Sequence, residues 1–169
     1  LTRSGYEVKV VHDGKAALQA LTQYKPDLVV LDLMLPGIDG WEITRRLRAG
    51  ERVLVVGAGG LGSPACYYLV AAGVGTLVLV DDDVVDRSNL QRQILHTEAR
   101  IGVAKVESAR QALLALNPRV TVHDVRERVT AANVDALVGG VDVVLDGADN
   151  FPARYLLSDA CVRLAKPLV

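Results

Sequence analysis

One stretch limits the possible folds more than any other: Arg52-Val-Leu-Val-Val-Gly-Ala-Gly-Gly-Leu-Gly62. Four apolar residues, Val53 to Val56, run directly into glycines with G-x-G-x-x-G spacing at Gly57, Gly59 and Gly62. An uninterrupted apolar run of this length suits a strand covered on both faces, as in a parallel sheet. The glycines allow a sharp turn and let backbone N–H groups approach an anion at the start of the following helix. By itself the pattern signals a dinucleotide or phosphate site and no single activity.

From Val53 to Val80 no residue is charged, a length sufficient to cross a bilayer. Seven Gly and Pro residues divide that stretch into strand, helix and strand lengths, and Asp81-Asp82-Asp83 ends it. A buried strand–helix–strand unit is therefore expected rather than a membrane span. The formal net charge of −1 argues against nucleic acid or an anionic membrane as partner. Cys66 and Cys161 form no C-x-x-C pair and read as small hydrophobes within helices, as in a reducing compartment. No apolar targeting core follows Leu1, and a cytoplasmic location is expected.

Within residues 1–50 the pattern predicts a strand over 6–11, a helix over 15–24 closed by Pro26, a second strand over 28–31 and a helix over 41–48. The second strand would deliver Asp32 at its carboxyl end, where open α/β sheets place their sites. Gly5-Tyr-Glu-Val8, Pro26-Asp-Leu-Val-Val-Leu-Asp-Leu-Met-Leu-Pro-Gly-Ile-Asp-Gly40 and the helix after it resemble the receiver domain of bacterial response regulators. The resemblance implies a flavodoxin-like fragment in which Asp32 is a relic of the phospho-acceptor. The acidic pair that holds Mg²⁺ in receivers, and their later hydroxyl and lysine residues, have no counterpart here. Without that metal, phosphoryl transfer loses its main charge stabilisation.

The seam at Ala49-Gly50-Glu51-Arg52 has the length of an ordinary helix-to-strand loop. The expected fold class is accordingly α/β, a doubly wound parallel, Rossmann-like sheet, with residues 1–50 and 51–169 sharing one continuous sheet. Beyond the glycines, strands are expected over 77–80, from 120 and over 141–145. Helices are expected over 60–72 and 104–116, after a Thr130 cap, and over 151–166, and a last strand begins at Pro167. Asp81, about 20 residues past the glycines, is placed to accept hydrogen bonds from a ribose. Asp82, Asp83 and Asp86 read as solvated, Ser88 as a helix cap, and His12, His96 and His123 as without a role.

A nicotinamide-dependent oxidoreductase would account for the glycines and Asp81, and leaves Arg92, Lys105 and the Asp149-Asn150 pair unexplained. Gly59-Gly-Leu-Gly62, Ser88-Asn-Leu-Gln-Arg-Gln93, Ile101-Gly-Val-Ala-Lys-Val-Glu-Ser-Ala109 and Asp149-Asn150 together resemble the MoeB/ThiF/HesA branch of ubiquitin-activating-enzyme-like adenylyltransferases. The resemblance implies ATP and Mg²⁺ as cofactors and, as partner, a ubiquitin-like sulfur-carrier protein whose C-terminal glycine is adenylated. It implies that Arg92, Lys105 and Asp149 are catalytic, Asp149 as the metal ligand. Gly57, Gly59, Gly60, Gly62, Asp81, Ser88, Asn89, Gln91 and Asn150 would complete the nucleotide site. It further implies the strand order 120-77-53-142 and a homodimer.

Several parts of that family's active site have no match in this sequence: an N-terminal arginine-bearing segment, C-x-x-C zinc pairs and a thioester cysteine. The expectation is thus a chimera of a receiver fragment and the nucleotide-binding half of an adenylyltransferase, engineered or misjoined, with little or no turnover. The alternatives are an inactive folded scaffold, a receiver phosphorylated at Asp32, or the oxidoreductase.

Overall fold

In the computed structural model, which describes residues 5–169 apart from Asp27 and Leu33, the glycine stretch opens a parallel sheet. Strand β1 (Arg52–Val56) pairs with β2 (Thr76–Val80) on one side and β4 (Val143–Asp146) on the other. Strand β3 (Thr121–Val125) pairs with β2 and completes the order β3-β2-β1-β4. The family resemblance implied this order. In register, Val53, Leu54, Val55 and Val56 stand beside Leu77, Val78, Leu79 and Val80, and beside Val143, Val144, Leu145 and Asp146. Beyond β4, the Val144 N–H donates to the Pro167 carbonyl and the Val169 N–H to the Val144 carbonyl, so the expected last strand is present as a parallel bridge between Val144 and Leu168.

Successive side chains of a strand point to opposite faces, and β1 is buried on both. Val53 and Val55 join Cys66 and Val70 of α3 (Gly62–Ala71) and Val106, Ala109 and Leu113 of α4 (Lys105–Leu116). Leu54 and Val56 join Val138 of α5 (Val134–Gly139) and Leu157, Ala160 and Cys161 of α6 (Phe151–Arg163). Burying one such leucine or valine fully stabilises the fold by about 1.5–3 kcal/mol. The uncharged stretch from 53 to 80 is therefore β1–α3–β2. No helix among the described residues is long and apolar enough to cross a membrane.

The chain divides into two compact units, Leu1–Leu47 and Arg48–Val169. The first contains α1 (Gly14–Tyr24) and α2 (Gly40–Arg48). Asp13 caps α1 through its carboxylate, which accepts from the Ala16 N–H, and Lys25 closes it in the left-handed region at φ 46°. Asp39 accepts from the Glu42 N–H at the start of α2. Ile43 is buried, whereas Leu47 is exposed.

The strands expected over 6–11 and 28–31 are not formed, and a receiver-like strand arrangement is not present among the described residues. Tyr6, Val10, Leu28 and Val30 are all exposed. An apolar run becomes a buried strand only where neighbouring strands satisfy its amides and layers cover its faces; β propensity alone does not supply either. Asp32 consequently ends no strand, and its Oδ1 accepts from the Met34 N–H at 2.9 Å. What was expected of residues 1–4, Asp27 and Leu33 lies outside the described residues.

Two caps also differ from expectation. The 3₁₀ turn over Arg87–Asn89 is capped by Asp86, whose Oδ1 accepts from both the N–H and the hydroxyl of Ser88. A carboxylate at the preceding position outcompetes a serine inside the turn. Helix α5 begins after Asn133 rather than Thr130, because the Asn133 amide oxygen accepts from the Thr130 N–H and holds a separate turn.

Candidate functional site

A cavity of about 490 Å³ opens at the carboxyl ends of β1, β2 and β4. Its floor is the loop from β1 into α3. Gly57 has φ +93°, and a Cβ there would lie 2.6 Å from the Gly147 carbonyl oxygen, so the β1 and β4 loops meet only because no side chain intervenes. A Cβ on Gly62 would fall 1.8 Å from the Gly57 carbonyl oxygen, which makes this glycine the condition for α3 starting directly against β1. Among the described residues the backbone N–H groups of Gly59, Gly60 and Leu61 have no hydrogen-bond partner. All three residues line the cavity at the amino end of α3, where unpaired amides and the helix dipole favour an anion.

Asp81, at the end of β2, closes the loop from below. Its Oδ2 accepts from the Ala58 N–H at 2.7 Å and its Oδ1 from the Asp83 N–H at 2.8 Å. Each carboxylate oxygen has a second lone-pair position, so the residue still has accepting capacity toward the cavity. Lys105, the first residue of α4, is only 5% exposed, and its ammonium donates to Asp83 Oδ2 at 2.9 Å. Asp83 is exposed, as expected of a solvated carboxylate, and is in addition the partner of this ion pair. Asp82 pairs in the same way with Arg128 at 2.9 Å.

Arg92, which also lines the cavity, rests on a neutral support. Its guanidinium donates to the side-chain oxygens of Asn89 at 2.9 Å and Gln91 at 3.3 Å. Asn89, Gln91 and Ser88 themselves lie outside the cavity wall, and Gly62 is buried in α3. On the opposite side, Asp149 and Asn150 follow β4. The Asn150 side chain accepts from the Ala153 N–H and caps α6, while Asp149 is exposed to the cavity. Val56, Val80, Val129, Ala148 and Ala153 supply an apolar wall.

The structure therefore brings Gly57, Gly59, Gly60, Asp81, Arg92, Lys105, Asp149 and Asn150 to one cavity, and leaves Asp32 outside it. Sequence reasoning passed over Gln93, Arg128 and Arg154, which also line it. Gln93 is 4% exposed and its Oε1 has no partner. Arg128 follows the carboxyl end of β3, a position that the strand assignment alone could have marked. Arg154 donates to the Ala148 carbonyl at 2.9 Å from one turn inside α6, where only the fold shows its direction.

A doubly wound parallel sheet with an amide-lined loop, four cations and an acidic far wall defines a nucleotide-site protein of the α/β class. The sequence profile of the ThiF family matches residues 30–169. The chain belongs to the ThiF family. It is 58% identical over 119 residues to the SAMP-activating enzyme E1 of Haloferax volcanii, covering 70% of this chain and 44% of that protein. It is 42% identical over 159 residues to the adenylyltransferase and sulfurtransferase UBA4 of Lodderomyces elongisporus, covering 94% of this chain and 34% of that one. Among solved structures, E. coli tRNA N6-threonylcarbamoyladenosine dehydratase TcdA in complex with ATP superposes with a TM-score of 0.72 at 34% identity, covering 75% and 53% of the two chains. The chain thus spans less than half the length of these curated relatives.

The family match crosses the seam expected at residue 50 without a break, and the 159 residues aligned with UBA4 reach well into the first fifty. The comparisons lend no support to a receiver fragment or a chimera.

Proposed function

We propose that residues 51–169 form the Mg-ATP site of an enzyme that adenylates the C-terminal carboxylate of a ubiquitin-like sulfur-carrier protein. The observation that supports this most is the meeting, in one cavity, of three unpartnered loop amides with Arg92 and Lys105. A triphosphate needs that combination, whereas a dinucleotide's bridging pyrophosphate is commonly held by the loop and helix end alone. Adenylyltransferase names among the relatives, and the ATP bound by TcdA, favour the same reading.

In this reading the carrier carboxylate oxygen attacks the α-phosphorus, the bond from that phosphorus to the β-phosphate oxygen breaks, and pyrophosphate leaves as the acyl adenylate forms. Negative charge grows on the departing pyrophosphate. Arg92 neutralises it, its guanidinium already oriented by Asn89 and Gln91, and Lys105 supplies a second positive charge. The amides of Gly59 and Gly60 hold phosphate oxygens in place. Asp81 accepts from the ribose hydroxyls, and the apolar wall takes the base. Asp149 offers an exposed hard oxygen ligand without an ion-pair partner among the described residues, a donor that suits Mg²⁺. When bound there, the ion would draw charge from the phosphate oxygens.

Isothermal titration with Mg-ATP tests the site. Saturable binding is expected, lost in Asp81→Ala; an absence of saturable heat with the wild-type chain would overturn the reading. Exchange of labelled pyrophosphate into ATP, dependent on an added carrier protein with an intact C-terminal glycine, tests the reaction. The chain's partial span of its relatives makes ATP binding the primary readout. Among the described residues Asp32 has neither a strand to present it nor a neighbouring acidic pair, and it carries no proposal.

A further inference from the structure

Ala58 is held on both sides of its backbone. Its N–H donates to Asp81, and its carbonyl oxygen lies 3.0 Å from His96 Nε2 and 3.0 Å from the Ser63 hydroxyl. His96 is 6% exposed, and its Nδ1 stands 2.9 Å from Ser108 Oγ. A carbonyl oxygen only accepts, so Nε2 carries a proton, and in the neutral ring Nδ1 accepts from the Ser108 hydroxyl. Ser108 is in turn fixed by α4, and its own carbonyl accepts from Arg100 at 2.8 Å. One imidazole therefore ties the glycine loop to the helix that carries Lys105. Burial holds the ring neutral by pushing its pKa down; Lys105 and Arg100 act in the same direction, against Asp81 and the hydrogen bond to Ala58.

The consequence lies in the next peptide group. No peptide bond among the described residues is cis. In a trans peptide the Ala58 carbonyl and the Gly59 N–H lie in one plane and point in opposite directions. With the carbonyl anchored inward by His96 and Ser63, the Gly59 N–H is left without an internal partner, beside the cavity. Rotating that peptide would present a carbonyl oxygen to the cavity in place of a donor. A glycine on the far side leaves such a rotation nearly free of steric cost, so the anchor has to come from outside the loop.

We propose that His96 is a positioning residue for the phosphate site: its Nε2–H fixes the Ala58–Gly59 peptide so that the Gly59 amide donates to a bound phosphate oxygen. This rests on the reading of the cavity as a phosphate site. His96→Phe keeps most of the buried volume and removes the donor, whereas in His96→Gln the side-chain amide restores one near the Nε2 position. His96→Phe is expected to weaken Mg-ATP binding by about tenfold or more, the scale of one charge-assisted hydrogen bond. Adenosine, which lacks phosphates, should bind both proteins equally, and His96→Gln should recover most of the loss for Mg-ATP.

The experiment is titration of the three proteins with Mg-ATP and with adenosine, together with the Gly59 amide resonance of ¹⁵N-labelled wild-type chain during addition of Mg-ATP. A downfield shift of that resonance on saturation supports the assignment without any variant, and so holds if His96→Phe fails to fold. Wild-type binding with a stationary Gly59 resonance overturns the inference, as does a folded His96→Phe that binds Mg-ATP like wild type or loses adenosine equally. A wild-type chain that binds no Mg-ATP removes the phosphate-site reading itself, and the inference with it.

Discussion

The same substitution at two glycines of one motif should have opposite effects. At Gly62 an added Cβ would stand 1.8 Å from the Gly57 carbonyl oxygen and 2.9 Å from its carbon, while at Gly60 the nearest atom is Arg92 Cδ at 3.3 Å. Neither residue has positive φ, so backbone strain does not enter at either position. The 1.8 Å contact is more than 1 Å inside normal separation, and both partners are backbone, fixed by β1 and the first turn of α3. Relief requires that α3 withdraw from the sheet, opening the contact of Cys66 and Val70 with Val53 and Val55. Overpacking in a core typically costs about 1–3 kcal/mol and occasionally more, and a backbone-to-backbone clash belongs at or beyond the top of that range. For a chain of this size about 3 kcal/mol lowers the melting midpoint by roughly 6–12 °C.

Gly60→Ala meets a flexible stem that can yield by a few tenths of an ångström. Its stability should stay within about 1 kcal/mol of wild type, with a small gain from the stiffer unfolded chain offsetting the contact. Its effect should appear instead in Mg-ATP affinity, because Arg92 is the group displaced. Urea titration and thermal melting measure the first property and calorimetry the second. A Gly62→Ala protein within 1 kcal/mol of wild type, or a Gly60→Ala protein less stable than it, would refute the reasoning.

Other consequences are open to direct measurement. Arg92→Ala should weaken Mg-ATP binding by about ten- to a hundredfold, from loss of a charge-assisted bond worth roughly 1.5–3 kcal/mol, while leaving the melting midpoint near wild type. The Cys66 thiol, pushed up to about 12 by burial, should react with a thiol reagent only on unfolding; prompt labelling of the native protein would contradict its place under α3. The depressed pKa of His96 means that the unfolded chain binds its proton more readily than the folded one. The associated stability is therefore present above the ordinary histidine value of about 6.5 and is lost as pH falls below it. The drop in urea midpoint between pH 7 and 5 should be smaller in His96→Gln. Incubation with a small phosphodonor should leave the intact mass unchanged, since no strand or acidic pair supports Asp32.

What could be read in the sequence follows from how local each signal is. The Val53–Val56 run, its glycines and Asp81 lie within one strand–helix–strand unit, and the structure returns them as β1, the loop and the end of β2. The strand order came through because several separated motifs fit one family's topology. The run at 28–31 looks equally strand-like over a few residues, yet a strand exists only with neighbours, and local hydrophobicity is silent about those. His96 illustrates a second limit. A lone histidine in a polar-to-apolar stretch has no spacing to interpret, and its contacts with Ala58 and Ser108 cross 38 and 12 residues. Gln93, likewise, closes a quoted motif, but only the fold shows that its side chain is enclosed.

Two of the cavity's cations, Arg92 and Lys105, differ in how they are held at rest. Arg92 leans on neutral amide oxygens, so its full charge is available from the outset. The Lys105 ammonium is already spoken for by Asp83, an aspartate that is itself largely open to water. An incoming polyanion therefore gains the guanidinium without displacing any charge, but must win the ammonium by substitution. Asp83, released, has solvent at hand to receive it. Lys105 accordingly works as an exchanger: in the empty protein its charge is stored against an internal anion, and that buried amine is never left bare.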